Sequence, residues 1–214
     1  MILLKEVSKA YDKVPILQNI NLEIPKGSFC SISGKSGAGK STLLKIIAGI
    51  ESPTSGQITL DGTDLKKINY PDLWGKRFSF VFQNYFLLDD KTVKKNLKLA
   101  QRKISEDAML TALSRVGLQS ELLTQPVYKL SGGEKQRVGI ARATIKPFDV
   151  LIADEPTGNL DHQNAQAIIK IFQELQALGK TIIVVSHDDD FQKVADQKLC
   201  LRDSKLVSVH ESQV

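Results

Sequence analysis

Apolar and polar residues alternate along positions 2–8 and again along 16–24, where Ile16, Ile20, Leu22 and Ile24 carry the second run. A period of two belongs to strands covered on one face, so these runs predict an antiparallel pair turning at Tyr11, Asp12, Lys13 and Pro15. A third strand-like run, 29–33, sets Phe29, Ser31 and Ser33 against Cys30 and Ile32. It leads through a glycine-rich segment into an apolar helical stretch, 43–48, that stops at Gly49. After a loop at 52–56, residues 57–60 read as a strand ending in the Asp61-Gly62 turn, a second small antiparallel piece. Phe78, Phe80, Val81 and Phe82 form an aromatic-rich strand that ends at Gln83, and an apolar loop, 84–88, follows.

From Lys91 the period lengthens. Val93, Leu97, Ala100 and Ile104 share one face of a predicted helix, while Lys91, Lys94, Lys95, Lys98 and Arg102 share another. Ser105 reads as the N-cap of a helix ending at Gly117, and Ser131 with Glu134 as a capping box opening a helix to Ile145, before Pro147. The runs 150–153 and 181–185 are short and wholly apolar, as parallel strands covered on both faces are. Asp161 caps a helix over 162–178 that stops at Gly179, and 197–209 holds two short strands before a polar end. The pattern is that of an α/β chain: a parallel central sheet, an N-terminal antiparallel β piece, and an α-helical segment, 84–146, inserted into the core.

At 214 residues and 42% hydrophobic, the chain can bury a sizeable core as one large domain. No run approaches the roughly 20 apolar residues of a membrane span, and the start lacks the charged and small-residue features of a signal peptide, so the expected compartment is the cytoplasm. Cys30 and Cys200 lie in apolar runs without a second ligand at metal spacing and read as buried thiols. A net charge of +5 suits an anionic ligand without demanding nucleic acid, and no basic block interleaved with aromatics appears. The lysine stripe after position 91 reads as a solvated face, with anionic lipid or an acidic partner loop as the sharper alternative.

The candidate chemistry centres on Gly34, Lys35, Ser36, Gly37, Ala38, Gly39, Lys40, Ser41 and Thr42, a G-x-x-x-x-G-K-[ST] segment between strand and helix. Backbone N–H groups of such a loop, added to a helix N-terminus, make a concave donor surface for phosphate oxygens. Lys40 then reaches the β- and γ-phosphates, Ser41 ligates Mg²⁺ and Thr42 bonds a further phosphate oxygen. Gln83, at a strand end, can order metal or water. Asp154 and Glu155 follow a buried strand and point to opposite sides, the first to Mg²⁺ and the second to an attacking water. His187 lies past the carboxyl end of another parallel strand, where open α/β sheets place ligand groups. Ser131, Gly132 and Gly133 read either as a plain helix cap or as a second anion site. Tyr11 reads either as a core aromatic or as a ring that stacks on adenine.

Taken in order, Tyr11, the loop 34–42, Gln83, Leu130-Ser-Gly-Gly-Glu-Lys-Gln-Arg137, Leu151 to Glu155, Asn159-Leu-Asp161 and His187 resemble the ATP-binding-cassette ATPases over almost the whole chain. The LSGGE-x-QR stretch is the specific element. The segments Phe80-Val-Phe-Gln-Asn84 and 153–161 are most similar to the subgroup of lipoprotein release, macrolide, bacteriocin or peptide export, and cell division. Lys35 departs from the usual small residue or proline, and Glu134 and Lys135 replace common glutamines. The resemblance implies ATP and Mg²⁺ as ligands, and ATP held by one subunit covered by Ser131 and Gly133 of another in a head-to-tail homodimer. Gln83 and Asp154 would hold Mg²⁺, Glu155 would be the general base, His187 would contact the γ-phosphate, and Asp161 would stand at the nucleotide interface. It also implies a separate transmembrane permease, a peripheral place on the cytoplasmic face of the membrane, and no nucleic-acid partner. A soluble assembly or cell-division ATPase of the same fold is the alternative.

Overall fold

The computed structural model describes residues 1–209, so the polar end expected beyond them lies outside the described residues. Strands β1 (Ile2–Tyr11) and β2 (Val14–Ile24) pair antiparallel around Asp12 and Lys13, both left-handed at φ 47° and 69°. That pair of positive φ angles is the signature of a tight two-residue hairpin. The strands run further toward the turn than the alternation indicated. Tyr11 is the last residue of β1. β4 (Ser55–Leu60) joins the other side of β1, taking in two residues expected as loop, and β5 (Thr63–Asp64) completes an antiparallel sheet in the order β2-β1-β4-β5.

The second sheet is built from β3 (Phe29–Ser33), β6 (Phe78–Val81), β7 (Val150–Asp154), β8 (Thr181–Val185), β9 (Gln197–Arg202) and β10 (Lys205–Ser208), in the order β10-β9-β3-β8-β7-β6. Its pairs are parallel apart from the β9–β10 hairpin. Alternation of side chains divides the strands between two cores. Cys30, Ile32, Ile152, Ile183 and Val185 face α1 (Lys40–Ile47) and the antiparallel sheet. Phe29, Leu151, Ala153, Ile182 and Val184 face α5 (Gly132–Ile145) and α6 (His162–Ala177). Burial on both faces is why β7 and β8 read as unbroken apolar runs.

Between β6 and β7 lie α3 (Val93–Lys98), α4 (Glu106–Arg115) and α5. The helix expected from Lys91 to Ile104 is only six residues long. Leu99 N–H turns to Asn96 O and Ala100 N–H to Leu97 O, closing the helix with short-range bonds, yet Ile104 still packs on the same core as Val93 and Leu97. The apolar period therefore marked side chains facing that core, while the backbone changed conformation beneath them. Of the basic stripe, Lys91 pairs with Asp90 and Lys94 with Glu106, and Lys95 and Lys98 are exposed. Two elements had no periodic signal: α2 (Tyr70–Asp72), which runs on into the π-helical turn Leu73–Arg77, and α7 (Asp189–Val194). Cys30 is fully buried, and burial pushes its thiol up to about 12, whereas Cys200 is only half-buried, contrary to its expected burial. Among the described residues no helix is long and apolar enough to cross a membrane.

Candidate functional site

The loop between β3 and α1 makes its bend with Gly34, Gly37 and Gly39 at φ 150°, 78° and 99°. Two of these positions also lack space for a side chain: a Cβ on Gly34 would stand 2.6 Å from Leu201 O, and one on Gly39 2.7 Å from Ile16 Cγ2. Helix α1 begins at Lys40 with no capping side chain and no acidic residue in its first turn. Its first N–H groups are thus left to an outside acceptor, at the positive end of the helix dipole. Lys40 Nζ donates to Gly34 O at 2.8 Å and Lys35 O at 3.1 Å, which holds the ammonium inside the loop's curve.

A cleft opens over this loop, lined by Ser36, Gly37, Gly39, Lys40, Ser41 and Thr42 on its floor, with Tyr11 and Ile16 on one side and Gln83, Asp154 and Glu155 on the other. Tyr11 is 43% exposed, so the core-aromatic reading is set aside. Its hydroxyl donates to Glu51 Oε1 at 2.5 Å, and that bond raises the phenol above its ordinary range. Lys9 bonds the same carboxylate oxygen at 2.7 Å and lies 4.9 Å from the ring centroid. The sequence assigns neither Ile16, which it marks only as a strand residue, nor Glu51 a place at the site, because both reach it through pairing of distant segments.

Asp154 ends β7 and is 8% exposed. Burial raises its carboxyl above the usual range, the adjacent Glu155 adds to this, and a bond from Ser41 opposes it. Its Oδ1 is buried without a hydrogen-bond partner. A desolvated carboxylate oxygen left open beside a serine hydroxyl is a hard donor set that fits Mg²⁺, which takes few protein ligands and completes its shell with water and phosphate oxygen.

Glu155 follows in the left-handed region, φ 47°, held by Glu155 N–H bonding Val185 O at 2.9 Å across to β8. The turn aims its carboxylate sideways. Oε2 accepts from Ser186 Oγ at 3.2 Å and His187 N–H at 3.2 Å, and lies 2.8 Å from His187 Nδ1. With the carboxylate as acceptor, Nδ1 is the donor of this pair and Nε2 points away from it. The His187 side chain is 71% exposed. Ser186, buried between β8 and His187, belongs to no motif in the sequence; its place at the strand end is the available signal.

The predicted residues Ser131, Gly132, Gly133 and Asp161 lie outside this cleft. Ser131 and Gly132 are exposed at the start of α5, and Gly133 stands close to Asn159 O. The capping box is made: Ser131 Oγ accepts from Glu134 N–H at 3.3 Å, while Glu134 Oε2 accepts from Ser131 N–H and Ser131 Oγ at 2.8 Å each. Asp161 caps α6, accepting from Asn164 N–H at 2.9 Å and from Asn164 Nδ2 at 2.6 Å, which lowers its carboxyl below the usual range.

The sequence profile described as ABC transporter matches residues 17–158. The chain belongs to the ABC transporter family. It is 41% identical to the ABC transporter ATP-binding protein YvrO of Bacillus subtilis, over 97% of this cassette and 96% of that protein. It is also 39% identical to the macrolide export ATP-binding/permease protein MacB of Haemophilus ducreyi over 90% of the cassette, but spans only 29% of MacB. The methionine import protein MetN of Mannheimia succiniciproducens is 39% identical over 97% of the cassette and 64% of its own length. The dimeric structure of the bacterial ABC transporter cassette MJ0796 superposes with a TM-score of 0.90 at 31% identity, covering 98% and 99% of the two chains. The same cassette in a post-hydrolysis state with ADP and Pi gives 0.89 at 30% identity, over 98% and 99%. The cassette fold and its ATPase class are therefore those that the motifs implied.

Proposed function

We propose that this cassette is the ATP-hydrolysing subunit of a transporter, that it closes head to tail with a second copy around two ATP molecules, and that it drives a separate membrane-spanning partner of the export type. The observation that carries the reading is the division of the anion-binding surfaces. Lys40, Ser41 and Thr42 share a cleft with Asp154 and Glu155, whereas Ser131, Gly132 and Gly133 lie elsewhere on the same chain. One γ-phosphate meets both surfaces only where two chains face each other.

In this reading Lys40 exchanges its two loop carbonyls for β- and γ-phosphate oxygens. Ser41, Gln83 and Asp154 would hold Mg²⁺, which supplies charge neutralisation at the phosphates. Glu155 takes the proton of the attacking water, with Ser186 and His187 orienting its carboxylate through one oxygen and leaving the other to the cleft. His187, exposed at the rim, contacts the γ-phosphate. Asp161 reaches the nucleotide interface only through its place beyond Asn159, since its carboxylate is engaged as a helix cap. The likeness to MacB, an ATP-binding/permease protein, supports a permease partner and a peripheral place at the membrane. Peptide, lipoprotein or small-molecule export is the cargo class proposed. The helical segment 84–146 is the part proposed to move.

Two tests arise here. With the Tyr11 ring exposed beside the loop, Tyr11→Ala weakens ATP binding about tenfold, from the ~1–1.5 kcal/mol of a stacked ring, while Tyr11→Phe is near neutral. Equilibrium binding of ATP to the folded variants decides it; unchanged affinity in Tyr11→Ala removes the stacking role. The second test concerns the loop after β6, where Phe86 is 63% and Leu88 45% exposed while Leu87 packs inward. Leu88→Ala is expected to leave basal ATPase within about twofold, as surface changes do, and to weaken capture of the multi-span partner from solubilised membranes. Undiminished capture would move the docking surface elsewhere.

A further inference from the structure

The loop after β6 is clamped by two side chains from the helices behind it. Arg142, on α5, donates through Nη1 to Phe86 O and through Nη2 to Tyr85 O, both at 2.6 Å. Tyr85 and Phe86 are left-handed, φ 58° and 45°, a conformation that a residue with a side chain keeps only when its surroundings hold it. At the other end of the loop, Asn96 of α3 is fully buried. Its Oδ1 accepts from Leu88 N–H at 2.7 Å and its Nδ2 donates to Leu88 O at 3.1 Å.

Arg142 is an unusual clamp because it is charged. Burial lowers the pKa of its guanidinium, and among the described residues no carboxylate pairs with it. A half-buried cation satisfied by two neutral carbonyls still carries a desolvation cost, and a loop that needed only filling could be filled without one. The two parallel N–H donors instead match two successive carbonyls, a geometry that lysine or methionine cannot reproduce.

What the clamp controls follows from two contacts. Tyr85 N–H bonds Phe82 O at 3.1 Å, closing a turn whose middle residues are Gln83 and Asn84, so fixing Tyr85 fixes Gln83 in the cleft. Tyr85 also lies along α5. A Cβ on Gly139 would stand 3.9 Å from Tyr85 O, and one on Gly132 3.6 Å from the Tyr85 hydroxyl. Arg142 and Ser131 are roughly three turns apart on this one helix.

We propose that Arg142 is a positioning residue for ATP hydrolysis: it holds the Tyr85–Phe86 carbonyls so that Gln83 stands correctly over the cleft, and it ties that placement to α5 and hence to Ser131. The inference rests on the role proposed above for Gln83. A helix that carries a phosphate-facing serine at its start and grips the cleft's other wall near its end moves the two together.

The experiment compares steady-state ATPase of Arg142→Met, Arg142→Lys, Gln83→Ala and the double variant Gln83→Ala/Arg142→Met over a range of free Mg²⁺. Loss of a group that orients a metal-site ligand costs about 10–100-fold; that fall is expected in kcat for Arg142→Met, with KM for ATP little changed and half-saturating Mg²⁺ raised. Arg142→Lys recovers part of the rate, and the double variant is no slower than Gln83→Ala alone. A double variant slowed by the product of the two single effects would overturn the proposal. So would a loss in Arg142→Met that merely tracks its unfolded fraction with Mg²⁺ dependence unchanged. If Gln83→Ala is fully active, the reading of Gln83 fails first and this inference with it; if Gln83→Ala is slow and Arg142→Met is not, only this inference fails. Should Arg142→Met not fold, the Lys variant carries the same comparison, with Mg²⁺ dependence again the deciding readout.

Discussion

Glu155→Gln is expected to bind ATP and Mg²⁺ as the parent protein does, to hydrolyse ATP about 10²–10⁴-fold more slowly, and to become a dimer in the presence of ATP. The substitution keeps the shape of the side chain and can still accept from Ser186 and His187, whose bonds to Oε2 span 2.8–3.2 Å. It keeps a side chain that already tolerates the left-handed backbone at φ 47°. It removes only the group that takes a proton. With ATP persisting in the cleft, the Ser131 surface of a second copy stays engaged. Size-exclusion chromatography of Glu155→Gln with ATP, of Glu155→Gln/Ser131→Arg with ATP, and of Glu155→Gln with ADP checks this. A dimer in the first condition alone supports the shared site. Monomer in all three despite intact ATP binding, or undiminished hydrolysis, counts decisively against it.

Asp154→Asn is expected to act in opposite directions on activity and on stability. Removing a carboxylate proposed to ligate Mg²⁺ is expected to lower hydrolysis by at least about 10²-fold, at the upper end of losses seen for metal-site groups. The free protein, by contrast, becomes more stable. Its ionised Asp154 is buried with Oδ1 unpartnered, and a neutral amide there carries a smaller desolvation cost. Each kcal/mol relieved raises Tm by about 2–4 °C in a chain of this size. The sign of the pH dependence follows from the raised folded pKa of Asp154. Relative to an unfolded chain, the protonated group favours folding below the ordinary carboxylate range, and that contribution is lost as pH rises through the folded value. The stabilisation in Asp154→Asn is therefore small in acid and full at neutral pH. Thermal melts of the ligand-free proteins at both pH values, beside ATPase assays, check both halves; a lower Tm at neutral pH would make Asp154 a structural residue.

The sequence by itself determined whatever depends on neighbours within a few residues. The glycines of 34–42 bend a loop onto a helix start, Ser131 and Glu134 close their capping box, Ser105 and Asp161 cap their helices, and the all-apolar runs become strands covered on both faces. The caps and the loop are each decided by a backbone conformation or hydrogen bond spanning at most one helical turn, which a local pattern records, while the apolar runs record burial on both faces directly. The tertiary structure decided what meets across long separations. It set Tyr11 and Ile16 over the loop, gave Tyr11 its bond to Glu51, brought Ser186 and His187 to Glu155, and hung the Tyr85–Phe86 backbone on Arg142. It also broke the expected long basic helix after Lys98, since a core accepts apolar side chains from a turn as readily as from a helix. Those meetings follow from the order of strands in the two sheets and the packing of helices on them, and no stretch of sequence short enough to show a period contains both partners.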